Sequence, residues 1–349
     1  MYVITMPKII SIFKPGVKPD NLTMLLKKFF LPLFILSISI TSCSTEKKNH
    51  TLKLAHGLNT EHPVHKAMFF MAKRVSEISE GKMEIKIYPG GQLGPERTCV
   101  ELLQIGSVDM TKVSTAIMEG FVPAYRVLGL PYIFRDKEHA WKVLDGEIGK
   151  DMLLEGTDSW LKGLCFYDAG SRSFYTKDQP VNSPDDLKGL KIRVMKSNTA
   201  VQMVRTFGGS PTPISWGELY TALQGGVVDG AENNPPSFYL SHHYEVCKYY
   251  SLNEHTSVPD ILLISTHTWN KLSGKEKEWI KQAIKESVVL QRKLWEEAEK
   301  EALKAVSEAG VKIIYPDKKP FAQKVDKLID SYQSNEKLYG YIQRIRSVN

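Results

Sequence analysis

The sequence predicts an α/β protein of two domains braced by one long helix, and three observations carry that prediction. The chain has 349 residues, 42% of them hydrophobic, which is more than one core absorbs, since single cores stop growing at roughly 250–300 residues. Strand-like and helix-like segments alternate along it, as parallel sheets with crossover helices require. Between Lys275 and Gly310 there is neither proline nor glycine, so that stretch reads as a continuous helix of about 50 Å at 1.5 Å per residue. Its apolar residues (Trp279, Ile280, Ala283, Ile284, Val288, Val289, Leu290, Leu294) are spaced too irregularly for a coiled coil and fit a brace between domains.

The elements follow in order. From Met24 the chain reads "MLLKKFFLPLFILSISITSC": a Lys27-Lys28 pair, an apolar run from Phe29 to Ile40, then small polar residues before Cys43. That is the shape of a signal peptide over residues 1–42, with Met24 as a candidate true start. The run is well short of the roughly 20 residues that span a bilayer. Cys43, directly after "ITS", resembles the end of a bacterial lipoprotein cleavage box; this makes it the lipidated first residue of the mature protein and residues 43–50 a polar tether. Of the +7 net charge, these first 42 residues carry +4, from five lysines against Asp20, which leaves +3 for the remainder. A nearly neutral body excludes a nucleic-acid footprint. Cys99, Cys165 and Cys247 are odd in number and widely spaced, which fits neither a disulfide framework nor a zinc knuckle; buried thiols are expected, with one disulfide left open.

"LKLAHG" and "MEIKIYPGG" read as strands flanking an amphipathic helix from His62 to Ser79, with Val64, Met68, Met71, Ala72, Val75 and Ile78 at helical spacing. A helix over Glu96–Ile105 and strands at "VDMTKV", "LCFYDA" and "LKIRV" follow, then a helix near Asn198–Phe207 and a strand at "GVVDGA". No internal repeat or low-complexity tract interrupts them.

The chain has no GxGxxG, Walker loop, HExxH or nucleophile elbow, so it offers no cofactor-binding signature, and the case for an enzyme is weakened without being closed. It does place Arg172 ("DAGSRSFYT") and Arg193 ("LKIRV") at strand-like positions. Arg193 alternates with Leu190, Ile192 and Val194, near the strand end where open α/β sheets hold ligands. A guanidinium there is a planar fork suited to a carboxylate, against the plainer reading of a surface ion pair.

"SPDDLKGLKIRV", "GGSPTPISWGELYTALQGGVVDGAENNP", "YEVCKYYSL" and the upstream "YPGGQLGPERTCVELLQIGSVDM" resemble the solute-receptor (DctP-type) subunits of TRAP transporters, in the family's order, from about Leu52 to past Pro320. The resemblance implies a class II-like periplasmic-binding-protein fold: two α/β lobes, a hinge and a long bracing helix, closing over a small organic acid that a sodium-coupled membrane permease receives. It sets lobe I at 51–169 plus about 259–298 and lobe II at 170–258 plus about 299–349. It places the protein in the periplasm of a Gram-negative bacterium, attached to a membrane by the lipid anchor alone. The family's carboxylate clamp falls on Arg193, supported by Arg172 and Asn233; Trp216 sits where an aromatic ring covers the ligand, and Asn59 and Glu96 match positions that meet its distal polar groups. Ser114 and Ile117 replace the glutamate and arginine of sialic-acid receptors.

With His56, Asn59, Glu96, Ser114, and His255 with Asp260, the expected cleft offers hydrogen-bonding groups that suit a polyol monoacid better than a dicarboxylate. "GAENNPPSFYLS" is similar to the branch associated with glucuronate and galacturonate. A C4-dicarboxylate or keto acid is the alternative ligand. From a different class, the histidines, among them His62 and His65 three apart, admit a metal-site reading, but no third ligand has diagnostic spacing; no metal is implied.

Overall fold

The computed structural model describes residues 50–349. The signal peptide, Met24 and Cys43 lie outside the described residues, as does the tether apart from His50, which opens the first strand. The strands are β1 (His50–Ala55), β2 (Met83–Tyr88), β3 (Met110–Ser114), β4 (Leu161–Tyr167), β5 (Arg172–Thr176), β6 (Lys191–Val194), β7 (Ser210–Pro213), β8 (Gly230–Asn233), β9 (Tyr249–Thr256), β10 (Asp260–Ser265) and β11 (Lys312–Ile314). They form two sheets, one in the order β2-β1-β3-β10-β4 and one in the order β11-β9-β5-β8-β6-β7. The two-lobed α/β architecture expected from the sequence is present.

The sheets are mixed, however, and not parallel throughout. β1 pairs parallel with β2 and β3, and β6 with β7 and β8. β10 instead runs antiparallel between β3 and β4, and β5 antiparallel between β8 and β9. The cause is the connections: only residues 168–171 separate β4 from β5, and only 257–259 separate β9 from β10. Neither is long enough for a crossover, which needs a dozen or more residues. Two strands therefore run on from one sheet into the other, side by side, with Arg172 opposite Thr256 and Asp260 opposite Tyr167.

Local chemistry accounts for the boundaries. The first helix is Pro63–Ile78, with His62 as its N-cap, Pro63 in the first turn where a missing N–H costs nothing, and Ser79 as its C-cap. The strand expected at "GVVDGA" begins only at Gly230, because residues 225–229 are a turn with Gly226 at φ +70°. β7, "SPTP", was not anticipated; its two prolines are tolerated because it is the edge strand. The long helix spans Gly274–Glu308. Ser273 and Glu276 form a reciprocal capping box at its start, and Gly310 at φ +89° follows its end.

That helix serves both lobes. Its early residues Ile280, Ala283 and Ile284 join the core of the first sheet with Leu52, Leu54 and Met68, whereas Val306 packs with Tyr175, Phe238 and Tyr250 under the second. Between these, Ser287, Gln291 and Trp295 form one buried stripe at four-residue spacing against the β4–β5 connection. Ser287 Oγ meets Tyr167 Oη at 2.8 Å, the Gln291 amide both donates to Asp168 O and accepts from Asp168 N at 2.8 Å, and Trp295 faces Gly170. Residues 299–349, expected with the second lobe, divide. The helix Lys319–Asp330 packs on Asn198–Phe207, but Glu336–Ser347 lies on Pro123–Gly129 and Glu147–Leu154 of the first. Its stripe of Leu338, Tyr341, Ile342 and Ile345 is buried there, and Lys337 and Tyr341 both bond Glu155 at 2.7 Å. Cys99, Cys165 and Cys247 are buried free thiols with no disulfide between them.

Gly170 has φ +58°, and a Cβ built on it would stand 2.8 Å from Trp295 Nε1. Gly170→Ala combines left-handed backbone strain with overpacking and is expected to destabilise by roughly 2–4 kcal/mol, measured as a shift of the urea midpoint at unchanged slope.

Candidate functional site

Between the sheets lies a cavity of about 400 Å³. The second lobe builds its charged wall from the ends of β5, β6 and β8. Arg193 is third in β6, flanked by parallel β7 and β8, with Ile192 and Val194 turned into the core. It is 2% exposed. Its Nε donates to Ile214 O at 2.8 Å, the Trp216 ring centre is 5.9 Å from its guanidinium carbon, and Nη1 is buried with no hydrogen-bond partner. Burial lowers its pKa, but an arginine stays protonated regardless, so the group is a buried cation.

Arg172, at the start of β5, is in the opposite condition. Its Nε and Nη2 clasp the two carboxylate oxygens of Glu232 at 2.5 and 2.9 Å, Nη2 also donates to Glu232 O at 2.7 Å, and Nη1 donates to Asn233 Oδ1 at 2.6 Å. Burial works to raise the Glu232 carboxyl, yet Arg172, with His255, outweighs it and holds the group at about 2. Asn233 Oδ1 also accepts from Asn234 N at 2.9 Å. Two donors on that oxygen settle the amide orientation and leave Nδ2 as a free donor on the cavity side. The helix Pro235–Leu240 is capped by Asn234, whose Oδ1 accepts from Ser237 N, and not by Asn233.

The first lobe supplies a different wall. Glu96 opens the helix Glu96–Gln104; its Oε1 accepts from Lys112 Nζ at 3.2 Å and from Ser114 N at 3.3 Å. Lys112 Nζ also reaches Asp260 Oδ2 at 3.1 Å. Burial opposes the Lys112 ammonium, but Asp260 and Glu96 outweigh it and raise its pKa. His62 completes this side: its Nδ1 accepts from Val64 N, which puts the ring proton on Nε2, 3.5 Å from Ser237 Oγ.

Six of the residues singled out in the sequence line this cavity: Glu96, Ser114, Arg172, Arg193, Trp216 and Asn233, joined by Asp260 and Ile117. Three do not, and the reasons are local. His56 is turned into a buried pair, its Nδ1 accepting from Leu58 N and its Nε2 meeting His65 Nδ1 at 3.0 Å; burial pushes it down to about 3. Asn59 Nδ2 donates to Leu240 O at 3.0 Å while Oδ1 takes Glu61 N and His62 N, so it joins the lobes at the rim. His255 lies behind Glu232, its ring stacked on Phe174 at 4.4 Å and its Nδ1 on Asn253 Oδ1 at 3.0 Å. Of the histidines of the metal reading, His56 and His65 pair with each other, and among the described residues no three His, Cys, Asp or Glu side chains gather into a group able to hold an ion. Sequence reasoning missed Lys112, Glu232, His62 and Trp295 as cavity or supporting residues. A signal existed for Lys112, a lysine amid the apolar residues of a strand, since lysine is almost never fully buried unpaired.

The model of the family described as bacterial extracellular solute-binding protein, family 7 (DctP) matches residues 54–336. The chain belongs to this family. A Salmonella typhimurium member, the uncharacterized protein YiiZ, is 39% identical over 91% of this chain and 98% of its own. Two solved TRAP periplasmic solute-binding proteins share the fold. One from Bradyrhizobium, in complex with α/β-D-galacturonate, is 40% identical with a TM-score of 0.83, covering 85% of this chain and 99% of its own. One from Anaerococcus prevotii, with bound α/β-D-glucuronate, is 38% identical with a TM-score of 0.84, covering 86% and 98%. Family members are solute receptors of the extracytoplasmic space, and among the described residues no helix is long and apolar enough to cross a membrane.

Because the Glu232 carboxyl is held below its unfolded value, its contribution is present above about pH 4.3, the unfolded value, and is lost as pH falls towards about 2. Glu232→Gln is expected to flatten the stability profile in that window and, by leaving Arg172 buried without a counter-charge, to destabilise at pH 7 by about 3–5 kcal/mol. Denaturant titrations from pH 2.5 to 7 measure both effects.

Proposed function

We infer that this protein captures a hexuronate such as glucuronate or galacturonate between its lobes and delivers it to TRAP permease subunits in the membrane, with no bond made or broken. The observation that carries the reading is Arg193, a buried guanidinium with a free fork at the end of a parallel strand, which is the geometry that takes a carboxylate in two parallel bonds. Asn233 Nδ2 adds a neutral donor beside it, and Trp216 an aromatic surface. The opposite wall, with carboxylates at Glu96 and Asp260, suits hydroxyl donors, and about 400 Å³ lies within the range of small-molecule sites. The uronates in the two solved relatives support the same class of ligand. A sialic acid is disfavoured by Ser114 and Ile117, which stand in the cavity lining.

Capture proceeds by closure, because a ligand touching both walls favours the state in which both are near. The pivot is the pair of strands that continue from sheet to sheet, backed by the long helix. Lobe I then comprises 51–169, about 259–298 and the last helix, and lobe II the rest. We also place the protein in the periplasm of a Gram-negative bacterium, tethered by lipid on Cys43; the support is the "LPLFILSISITSC" segment alone.

Galacturonate or glucuronate at hundredfold excess over Kd stabilises by about 2.7 kcal/mol, which in a chain of this size raises Tm by about 5 °C, whereas succinate is expected to give no shift. Arg193→Lys, which keeps the charge and loses the fork, is expected to weaken binding by about a hundredfold; wild-type affinity in that variant removes the clamp from Arg193. Cys43→Ser is expected to abolish incorporation of labelled palmitate and release the protein from membranes; a labelled serine variant removes the anchor assignment.

A further inference from the structure

Lys112 is 2% exposed, in the middle of β3, in a chain position where a lysine survives only by pairing. Its Nζ stands 3.1 Å from Asp260 Oδ2 and 3.2 Å from Glu96 Oε1. The antiparallel register sets Ser114 opposite Asp260 and Lys112 opposite Leu262, so Asp260 is the diagonal neighbour of Lys112 across β3 and β10. Glu96 reaches the same ammonium from the start of its helix, held also by Ser114 N. Each carboxylate therefore gives one oxygen to Lys112. Among the described residues no hydrogen bond engages the other two oxygens, Glu96 Oε2 and Asp260 Oδ1, and all three side chains line the cavity.

We propose that Lys112 is a specificity-determining residue: by holding two carboxylates side by side it builds a wall of net charge −1 that accepts hydrogen bonds from ligand hydroxyls and rejects a second ligand carboxylate. The proposal deepens the organic-acid reading and rests on it. An ionised carboxylate only accepts, so the two spare oxygens call for O–H donors. Without the ammonium the two acids would repel each other and turn apart; without the acids, Lys112 would be a second anion site facing Arg193. Across the cavity Arg172 and Glu232 cancel, and Arg193 is a buried cation of that wall with no ion pair among the described residues, while Lys196 and Glu218 of the same lobe also reach the lining. The cavity thus has a cationic and an anionic pole. A sugar acid with one carboxylate and a hydroxylated far end matches both; an acid with a carboxylate at each end meets like charge at one of them, and such juxtaposition is how a site excludes a competitor.

The test compares D-glucuronate with D-glucarate, the same carbon chain bearing a carboxylate at both ends, by titration calorimetry on the full mature protein. The wild type is expected to prefer glucuronate. Glu96→Gln combined with Asp260→Asn keeps Lys112 and changes the wall from −1 to +1; the affinity ratio should move towards glucarate by about tenfold or more. Lys112→Met should weaken glucuronate by about tenfold while circular dichroism shows the fold retained. If the double variant does not fold, Asp260→Asn alone, with a neutral wall, should move the ratio in the same direction. An unchanged ratio, or Lys112→Met binding glucuronate as the wild type does, overturns the proposal and leaves the organic-acid reading standing. A wild type that binds neither acid overturns both.

Discussion

A guanidinium buried without a counter-ion is the constraint around which this molecule is arranged. Removing a charge from water is unfavourable by several kcal/mol unless something compensates it. Arg193 makes no ion pair among the described residues: a backbone carbonyl and an aromatic face meet its guanidinium, and Glu232 and Glu96 act on it without a hydrogen bond. Arg172, two strands away with β8 between, shows the alternative: Glu232 neutralises it and its hydrogen bonds run inwards. The two arginines look alike in sequence and do different work. Arg172 spends its charge inside the protein, on Glu232 and Asn233; Arg193 has no such internal partner, which is why the clamp is proposed there. A second internal acid on Arg193 would make the lobe more self-sufficient and leave it with nothing to recognise.

Much of this was legible in the chain. The capping residues at Ser273 and Gly310 and the Pro/Gly-free interval between them define the brace, and Ile192 and Val194 alternating with Arg193 define the face. What was not legible depends on distance in space. His255 has the residue type and neighbourhood of a ligand contact, but the apolar layer of Phe174 and Phe207 claims its ring. His56 is lost to a pairing with His65. Glu232 was visible in "DGAENNPP" only as a charge, since its meaning lies in pairing with a residue 60 positions earlier. The mixed sheets escaped prediction for the same reason: alternation of elements suggests crossovers, and only the shortness of the 168–171 and 257–259 links forbids them.

The brace and the pivot are one assembly. Ser287, Gln291 and Trp295 grip the β4–β5 connection at consecutive turns of the long helix, and the amide of Gln291 bonds the backbone of Asp168 as a neighbouring strand would. Arg172 lies one residue beyond Ser171, so the connection between the sheets leads directly into the cavity wall. Thr256 is its partner in the other continuing strand, three residues before Pro259 and four before Asp260. Both charged walls are thereby rooted at the same hinge, one on each side of it.

The strand pair shared by the sheets has a further consequence for how the chain acquires its shape. β10 lies at the interior of the first sheet yet is preceded by all but one of the strands of the second. A nascent chain emerging from its N-terminus cannot finish one half before starting the other, and neither half is a contiguous fragment that could be excised and refolded alone. Contacts separated by more than a hundred residues, such as β3 with β10, make for slow acquisition of structure. The continuity that joins the halves also obliges them to mature together.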